Sequence, residues 1–220
     1  MTAPPACAPP PALPARAELR RRTTRVLSRG GRWNPDVLLV EVAGRSMVVK
    51  DFAPRSAWVR ATAGRWITRR EVRVWRRLRG HPAVPRLFGS IDELAFAVEY
   101  RPGRHLSRRT AAAGLPADFG DRLAEALVQM HRRGVVHLDL RHRSNVLVGC
   151  DGQPILIDFG SALVFRPRGV GARLLLPLLA RVDRRALGKW RRKLARYRRE
   201  EAAASPGGCS GSGRGASLPT

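Results

Sequence analysis

The sequence has 220 residues, of which 44% are hydrophobic, and its 42 Lys and Arg against 17 Asp and Glu give a formal net charge of +25. This length suffices for one globular domain of about 180–200 residues, in one or two lobes, and excludes two full domains with tails. The charge favours a polyanionic partner, such as nucleic acid, an anionic membrane surface or a phosphorylated substrate, although a GC-rich genome would also enrich arginine.

Both ends of the chain predict disordered tails. Residues 1–16 are rich in proline and alanine, and residues 201–220 are rich in glycine and serine, so neither stretch offers much apolar surface to bury. We expect no signal peptide, because the first residues lack its basic and apolar regions, and no apolar run approaches the ~20 residues of a membrane-spanning helix. Three scattered cysteines without metal-binding spacing indicate a reducing compartment.

The elements between the tails follow a definite order. Apolar β-prone runs bounded by turns predict strands, and apolar residues at helical spacing predict helices. In chain order we predict strands Val37–Val42 and Ser46–Phe52 joined at Ala43-Gly44, helix Arg65–Arg79, strand Leu94–Tyr100, helix Asp118–Arg133, short strands Val135–Val136, Val146–Val148 and Ile155–Ile157, and a basic helix Val170–Arg199. A small sheet is thus followed by a mostly helical region, which predicts an α+β fold.

The basic helix near the C-terminus mixes leucines with arginines. We favour a helix that packs its leucines against the domain and leaves its arginines in solvent. The alternative is a helix that lies on an anionic membrane surface, an arrangement that mixed apolar and basic residues also permit. Asp183, the acid within this stretch, is expected to pair with neighbouring arginines and to need no catalytic role.

The chemistry is concentrated in two neighbouring segments, His137–Val148 and Ile155–Gly160. Phosphoryl transfer needs one carboxylate that positions the acceptor hydroxyl, an amide and a second carboxylate that hold Mg²⁺, and a cation near the phosphates. The two segments supply Asp139, Asn145 and Asp158 in a workable order, with short predicted strands between the turns that carry them. These three residues are therefore the candidate reaction centre.

The arrangement H-x-D, then N, then D-F-G resembles the catalytic signature of the protein-kinase superfamily. The resemblance implies a two-lobed fold over residues 17–200, with a small antiparallel β N-lobe at about 20–100 and a truncated, mainly helical C-lobe at about 101–200. It also implies ATP and Mg²⁺ as cofactors. Asp139 would be the catalytic carboxylate, Asn145 and Asp158 the metal ligands, and Arg141 would contact the γ-phosphate where the family has lysine. Asn145 follows Asp139 by six residues instead of the usual five, so this loop is one residue longer.

The N-terminal half supplies a candidate ion pair. Glu71 falls within the apolar stripe of its predicted helix, together with Val74, Trp75 and Leu78, and a buried carboxylate needs a partner. Lys50 ends the β-run Val48-Val49-Lys50, as the lysine of the family's V-A-I-K motif does, and it is the partner that we predict.

Two further parts of a nucleotide site follow from the resemblance. The run Ala97–Gly103 resembles the family's hinge, so Val98 would border the adenine while the backbones of Glu99 and Arg101 bond to its edge. The phosphate-covering loop is poorly represented, because Gly30-Gly31 stands where the family has G-x-G-x-x-G. These glycines either approach the phosphates with their N–H groups or simply form a turn. His137 is expected to brace the catalytic loop.

Fewer than 50 residues separate Asp158 from the C-terminal tail, and no A-P-E-like segment is present among them. The chain is therefore similar to the short, atypical branch of the superfamily, which includes RIO-type kinases and bacterial kinases of lipopolysaccharide core sugars (Kdo and heptose). This similarity implies a glycolipid sugar as acceptor and a cytoplasmic enzyme at the inner face of the membrane. The alternatives are a serine/threonine protein kinase, a pseudokinase that binds without turnover, and a nucleic-acid-binding protein with salt-sensitive, non-specific affinity.

Overall fold

The computed structural model describes residues 11–112, 114–166 and 169–204. Its first half contains a five-stranded antiparallel sheet in the order β1-β2-β3-β5-β4. The strands are β1 (Thr23–Ser28), β2 (Asp36–Val42), β3 (Arg45–Asp51), β4 (Leu87–Ser90) and β5 (Ala95–Glu99). The hairpin between β2 and β3 turns at Ala43 and Gly44, whose φ angles of 49° and 71° are those of a two-residue turn that matches the strand twist.

Buried and less buried side chains alternate along β2 and β3, and the buried ones form a hydrophobic core on one face of the sheet. Val40, Val42, Met47 and Val49 point to the same face and are buried, where Leu19 of the short helix α1 (Leu19–Arg22) also packs. Successive side chains of a strand point to opposite faces, so Lys50 faces away from this cluster. The β3 register therefore points Lys50 toward the cleft between the lobes.

A long helical segment follows the hairpin and packs against β4 and β5. It consists of α2 (Ala57–Val59), a π-helical turn (Arg60–Gly64) and α3 (Arg65–Arg77) without interruption. The buried face of α3 carries Glu71 between Val72, Val74 and Trp75, which are all at most 4% exposed. The predicted helix over residues 65–79 agrees with α3, whereas β1 and the helical turns before α3 were not predicted.

The second half is mainly helical, which confirms the predicted α+β class. It contains β6 (Gly103–His105), α4 (Arg108–Ala112), α5 (Phe119–Arg132), β7 (Val135–Val136), β8 (Val146–Gly149), β9 (Pro154–Leu156), β10 (Leu163–Val164) and α6 (Val170–Ala204). The strands form two small sheets, β6-β8-β9 and β10-β7. One apolar cluster extends from Trp75 of α3 through Leu123 and Met130 of α5 to Trp190 of α6, so both lobes share a core.

The ends of the domain differ from the sequence prediction. The predicted disordered tail includes residues 11–16. In the structure Pro14 is buried, and the partly buried Leu13 packs against the core of the sheet. Arg16 donates to Asp51 and Asp92, and these bonds hold the segment on the sheet. At the other end, α6 continues to Ala204 instead of stopping at residue 200. The remaining tail residues, 1–10 and 205–220, lie outside the described residues.

The helix α6 corrects the expectation that its leucines pack inside for its first turns only, since Leu187 packs against the core. Ala180, Asp183, Ala186, Trp190 and Leu194 face the domain and are at most 4% exposed. By contrast, three leucines of the first turns lie on the surface, namely Leu174, Leu175 and Leu178. Within the part of the chain that the structure describes, none of the helices combines the length and apolar character that crossing a membrane requires.

Candidate active site

A cleft of about 600 Å³ opens between the two lobes, and most of the predicted site residues line it. Its walls carry Lys50 and Glu71 from the sheet lobe and Asp139, Asn145 and Asp158 from the helical lobe. The β1–β2 loop covers one side with Gly30, Gly31 and Trp33. Residues that are up to 128 positions apart in sequence thus meet around one polar space.

Lys50 joins the two lobes at the centre of the cleft. Its Nζ donates to Glu71 Oε1 at 2.6 Å and to Asp158 Oδ1 at 2.8 Å. Burial alone would lower the pKa of Lys50, but the charges of Glu71 and Asp158 outweigh it and raise this pKa well above its usual value. The ammonium of Lys50 in turn lowers the pKa of Asp158. Both groups are therefore charged at neutral pH, and the predicted Lys50–Glu71 pair is confirmed.

Asp139 and Asn145 are bonded to each other within the catalytic loop. Asn145 Nδ2 donates at 2.9 Å both to Asp139 Oδ2 and to the Asp139 carbonyl. A short 3₁₀ turn, Arg143–Asn145, absorbs the additional residue of the loop, and Ser144 Oγ donates to Asn145 Oδ1 at 3.0 Å. The longer spacing therefore leaves the amide beside the carboxylate.

The turn that carries Asp158 is fixed from both sides. Ile157 N–H donates to the Asn145 carbonyl at 3.1 Å, which joins this turn to the catalytic loop. Phe159 is fully buried and packs edge-on against Trp75 of α3, with ring centroids 4.9 Å apart. Asp158 itself has φ 62°, a conformation that non-glycine residues adopt at a cost and that needs such support.

His137 has the bracing role that the sequence predicts. Its imidazole is buried, lies against Phe159 and places Nε2 3.1 Å from the Ile157 carbonyl. Burial lowers its pKa, so the ring is neutral at pH 7 and Nε2 can donate to that carbonyl. His137 therefore links the catalytic loop to the turn of Asp158 without contacting the cleft.

Two residues of α6 support the catalytic loop, and neither role was predicted. Asp183 is fully buried, and its carboxylate accepts the backbone N–H groups of His137 and Leu138, both at 2.9 Å. It also lies 2.9 Å from His131 Nε2, so its partners are not the neighbouring arginines that we expected. Trp190 Nε1 donates to the Leu140 carbonyl at 2.8 Å. The first part of the loop, from His137 to Leu140, is thus attached to α6.

The β1–β2 loop is attached to the segment that follows β3. Arg55 donates from Nη1 to the carbonyls of Gly30 and Gly31 at 2.7 and 3.0 Å, and from Nη2 to the buried carboxylate of Asp36. Asp36 Oδ1 also accepts the Gly30 N–H at 2.9 Å. This N–H is consequently engaged within the loop and does not point freely at a phosphate, while both glycines line the cleft.

Four predicted residues lie outside the cleft lining. Arg141, expected at the γ-phosphate, is exposed and does not line the cleft. Val98 lies in the core, and the Glu99 N–H donates to the Arg86 carbonyl at 2.7 Å, so an adenine bond from Glu99 would have to use its carbonyl. The Arg101 side chain bonds to Glu99 and to the Pro82 carbonyl.

The two-lobed α+β fold, with a lysine–glutamate pair facing an aspartate–asparagine–aspartate set, defines a protein-kinase-like protein. The family described as "Protein kinase domain" matches residues 39–172, which is more than half of the chain. The chain therefore belongs to the protein kinase domain family. Lys50, Glu71, Asp139, Asn145 and Asp158 all fall within the matched stretch, whereas α6 beyond its first turn lies outside it.

Curated relatives support the same family from shorter alignments. Aurora kinase A-A of Xenopus laevis is 33% identical over 100 residues, 42% of this chain and 24% of the relative. Serine/threonine-protein kinase C of Synechocystis is 31% identical over 91 residues, 36% of this chain and 16% of the relative. CBL-interacting serine/threonine-protein kinase 16 of Arabidopsis thaliana is 32% identical over 112 residues, 47% of this chain and 24% of the relative. The chain thus matches about a quarter or less of the length of these relatives.

Proposed function

We propose that the protein is an ATP-dependent phosphotransferase that transfers the γ-phosphate to a hydroxyl group. The convergence of Lys50, Asp139, Asn145 and Asp158 on one cleft carries this proposal. Lys50 already bridges Glu71 and Asp158, so the cation that would contact the phosphates is positioned by two buried or half-buried acids. Such preorganisation is most of what an enzyme contributes to phosphoryl transfer.

The polar groups of the cleft fit a magnesium nucleotide. Asp158 exposes half of its carboxylate to the cleft and is held ionised by Lys50, and Asn145 contributes an amide oxygen, which together are hard oxygen ligands of the kind Mg²⁺ prefers. Bound Mg²⁺ would neutralise part of the phosphate charge. Asp139 would hold the acceptor hydroxyl and take its proton, while the hydrogen bond from Asn145 keeps the Asp139 carboxylate in place.

A serine or threonine hydroxyl on a protein is the acceptor that we put first. Two of the three relatives are named as serine/threonine-protein kinases, which favours a protein hydroxyl over the glycolipid sugar that the sequence alone predicts. The glycolipid sugar remains the second candidate, because only about ten residues separate Gly160 from α6, which leaves little chain for a peptide-binding segment. Either reaction would take place in the cytoplasm, where ATP is supplied.

Radiolabelled phosphate transfer tests the proposal. The full chain is incubated with Mg²⁺ and γ-labelled ATP, and with either total protein or extracted envelope glycolipid as acceptor. We expect label in one of the two acceptor pools, and a loss of at least about 100-fold for Asp158→Ala and Asp139→Asn. Asp121→Asn is the matched control, because this exposed acid on α5 pairs with Arg191 outside the cleft.

The same assay separates an enzyme from a pseudokinase. Arg141 outside the cleft and the engaged Gly30 N–H favour a pseudokinase, whereas the complete set of cleft carboxylates favours turnover. Label above background that disappears in the two cleft variants but persists in Asp121→Asn supports the enzyme. Equal label with wild type and Asp158→Ala rules it out, and ATP binding by wild type without any label leaves the pseudokinase.

A further inference from the structure

The outer face of α6 begins with a cluster of exposed apolar side chains. Val170 is 72% exposed, Leu174 68%, Leu175 50% and Leu178 53%, and these are the largest such values for aliphatic residues among the described part of the chain. They follow one another over the first turns of one helix. Large apolar side chains that are scattered singly are normal on a protein surface, but a contiguous group indicates a surface that is covered by a partner.

Basic residues continue the same face beyond the leucines. A helix rotates by about 100° per residue, so Arg181, Arg185 and Arg192 lie within about 20° of the direction opposite the buried Asp183. Leu174 and Leu178 lie within about 40° of that same direction. We call this face, formed by Val170, Leu174, Leu178, Arg181, Arg185 and Arg192, the outer face of α6, and the exposed Leu175 borders it. Its apolar start and basic continuation form one line along the helix.

The arginines of the outer face are not used inside the protein. Arg181, Arg185 and Arg192 are exposed, and among the described residues their side chains make no ion pair. Nearby cations behave differently, since Arg191 pairs with Asp121 and Arg196 pairs with Glu200. The cations aligned with the leucines therefore remain available to an anionic partner.

We propose that the outer face of α6 binds an anionic lipid bilayer as an interfacial helix. A bilayer surface satisfies both parts of the face, because headgroup phosphates attract the arginines while the boundary with the acyl chains receives the leucines. A nucleic acid would satisfy the arginines but leave the leucines in water. The net charge of +25 adds a long-range attraction to the same surface.

The inner face of the same helix holds the catalytic loop. Asp183 and Trp190 bond to the backbone of that loop, from the side of α6 opposite the outer face. A protein attached through the outer face would therefore have its cleft in a fixed relation to the membrane. This inference does not depend on the proposed phosphotransfer, since it concerns a surface outside the cleft.

Vesicle co-sedimentation of the full chain, without nucleotide, tests the proposal. The vesicles are phosphatidylcholine alone or phosphatidylcholine mixed with phosphatidylglycerol. We expect wild type to bind only the mixed vesicles, and both Leu174→Gln/Leu178→Gln and Arg181→Gln/Arg185→Gln to bind about tenfold more weakly. Arg20→Gln/Arg21→Gln on α1 is the matched control, because it removes the same charge from an exposed site elsewhere. Circular dichroism checks that every variant keeps the helix content of wild type.

Each other outcome contradicts the proposal in a recognisable way. Equal losses in the α1 control and in Arg181→Gln/Arg185→Gln mean that net charge alone drives binding. Retention of vesicle binding by the leucine variant means that the apolar part of the face is not in the bilayer. Binding to duplex DNA in place of vesicles, or a wild-type dimer that the leucine variant dissociates, identifies a nucleic acid or a second copy as the occupant. These results are independent of whether the cleft transfers phosphate.

Discussion

The carboxylate of Asp183 accepts the backbone N–H of His137 at 2.9 Å, across 46 residues of sequence. Its second oxygen accepts the N–H of Leu138, whose φ of 68° lies in the left-handed region. A leucine pays to adopt this conformation, and the two hydrogen bonds to a fully buried carboxylate offset that cost. The start of the catalytic loop is thus shaped by a helix that follows it in the chain.

Asp183→Ala should therefore disrupt the loop from a distance. The substitution leaves one buried and one half-buried N–H group without an acceptor, at a cost of about 1–3 kcal/mol each. We expect the free energy of unfolding to fall by about 2–5 kcal/mol in urea titrations, together with a loss of phosphotransfer. Arg184→Gln, at the next and exposed position, should leave both quantities unchanged. A variant at Asp183 with wild-type stability would show that the loop does not depend on these bonds.

Sequence reasoning found the cleft residues and missed their supports for a physical reason. Glu71 could be recognised as a buried acid that needs a cation, because both partners are side chains whose burial follows from helical and strand periodicity. Asp183 and Trp190 bond to backbone groups of the catalytic loop. Backbone N–H and carbonyl groups are present at every position, so they give no signal in the sequence, and only the tertiary path of α6 brings them together.

The secondary-structure elements that were predicted also differ physically from those that were missed. β2 and β3 were predicted because one face of each is buried and alternates with the other. β1 was missed because it is an edge strand, exposed at all but its first residue, so its sequence has no such alternation. The exposed leucines of α6 were assigned to the interior because helical spacing shows that residues share a face without showing which face is buried.

Variants of the Lys50–Glu71 ion pair should affect the stability of the protein and its phosphotransfer differently. Glu71→Gln removes the buried negative charge, so that Lys50 has only Asp158 as an acidic partner. We expect the free energy of unfolding to fall by about 2–4 kcal/mol. The double variant Lys50→Met/Glu71→Leu replaces both charges with apolar groups and should recover most of that loss. It should nevertheless transfer no phosphate, because the phosphate-contacting cation is gone. Denaturant titration and the labelled-ATP assay on the same preparations measure both effects.

If the double variant is as unstable as Glu71→Gln, the destabilisation does not come from an uncompensated charge. Arg65→Gln is the control for both measurements. Arg65 lies on the surface of the same helix and pairs with Glu93. Exposed ion pairs of this kind contribute little to stability.

Adjacent glycines of the β1–β2 loop give a matched pair of substitutions. A Cβ on Gly30 would overlap the carbonyl oxygens of Asn34 and Pro35, whereas a Cβ on Gly31 would meet no atom within 4 Å. Gly30→Ala should therefore displace the loop and raise KM for ATP by about tenfold with a smaller change in kcat, because loop ordering contributes to binding of the nucleotide. Gly31→Ala should behave as wild type. Similar KM values for the two variants would show that the close approach at Gly30 does not matter.

Arg55 should hold the same loop through hydrogen bonds. Arg55→Gln removes the donors to the carbonyls of Gly30 and Gly31 and leaves the buried Asp36 with only the exposed Arg29, at 4.0 Å, as a cation. We expect backbone amides of residues 28–36 to exchange hydrogen about tenfold faster or more, since the loop loses three bonds at once. Hydrogen exchange with mass spectrometry measures this without requiring activity. Arg69→Gln, at an exposed position of α3 that pairs with Glu93, is the control. Equal exchange in wild type and Arg55→Gln would show that Arg55 does not hold the loop.

The tautomer of His81 predicts how stability changes with pH. Its Nδ1 accepts the Ala83 N–H at 3.2 Å, so the neutral ring must carry its proton on Nε2, which lies 3.0 Å from the Ala126 carbonyl of α5. Burial lowers the pKa of His81, and the charges of Arg133 and Arg101 add to this effect. In the unfolded chain the pKa of His81 is about 6.5. The contribution of the neutral ring to stability is therefore complete above about pH 6.5 and is lost as the pH falls below that value, because the unfolded chain then binds a proton that the folded protein does not.

We expect the free energy of unfolding of wild type to fall between pH 7.5 and 5.5, and to fall less for His81→Gln, which has no proton to bind. The burial that lowers the pKa of His137 acts in the same direction, so some pH dependence should remain in the variant. His105→Gln, at an exposed histidine of β6, should keep the full wild-type dependence. Urea titrations at both pH values measure the difference, and an equal fall for wild type and His81→Gln would show that the imidazole is protonated in the folded protein as readily as in the unfolded chain.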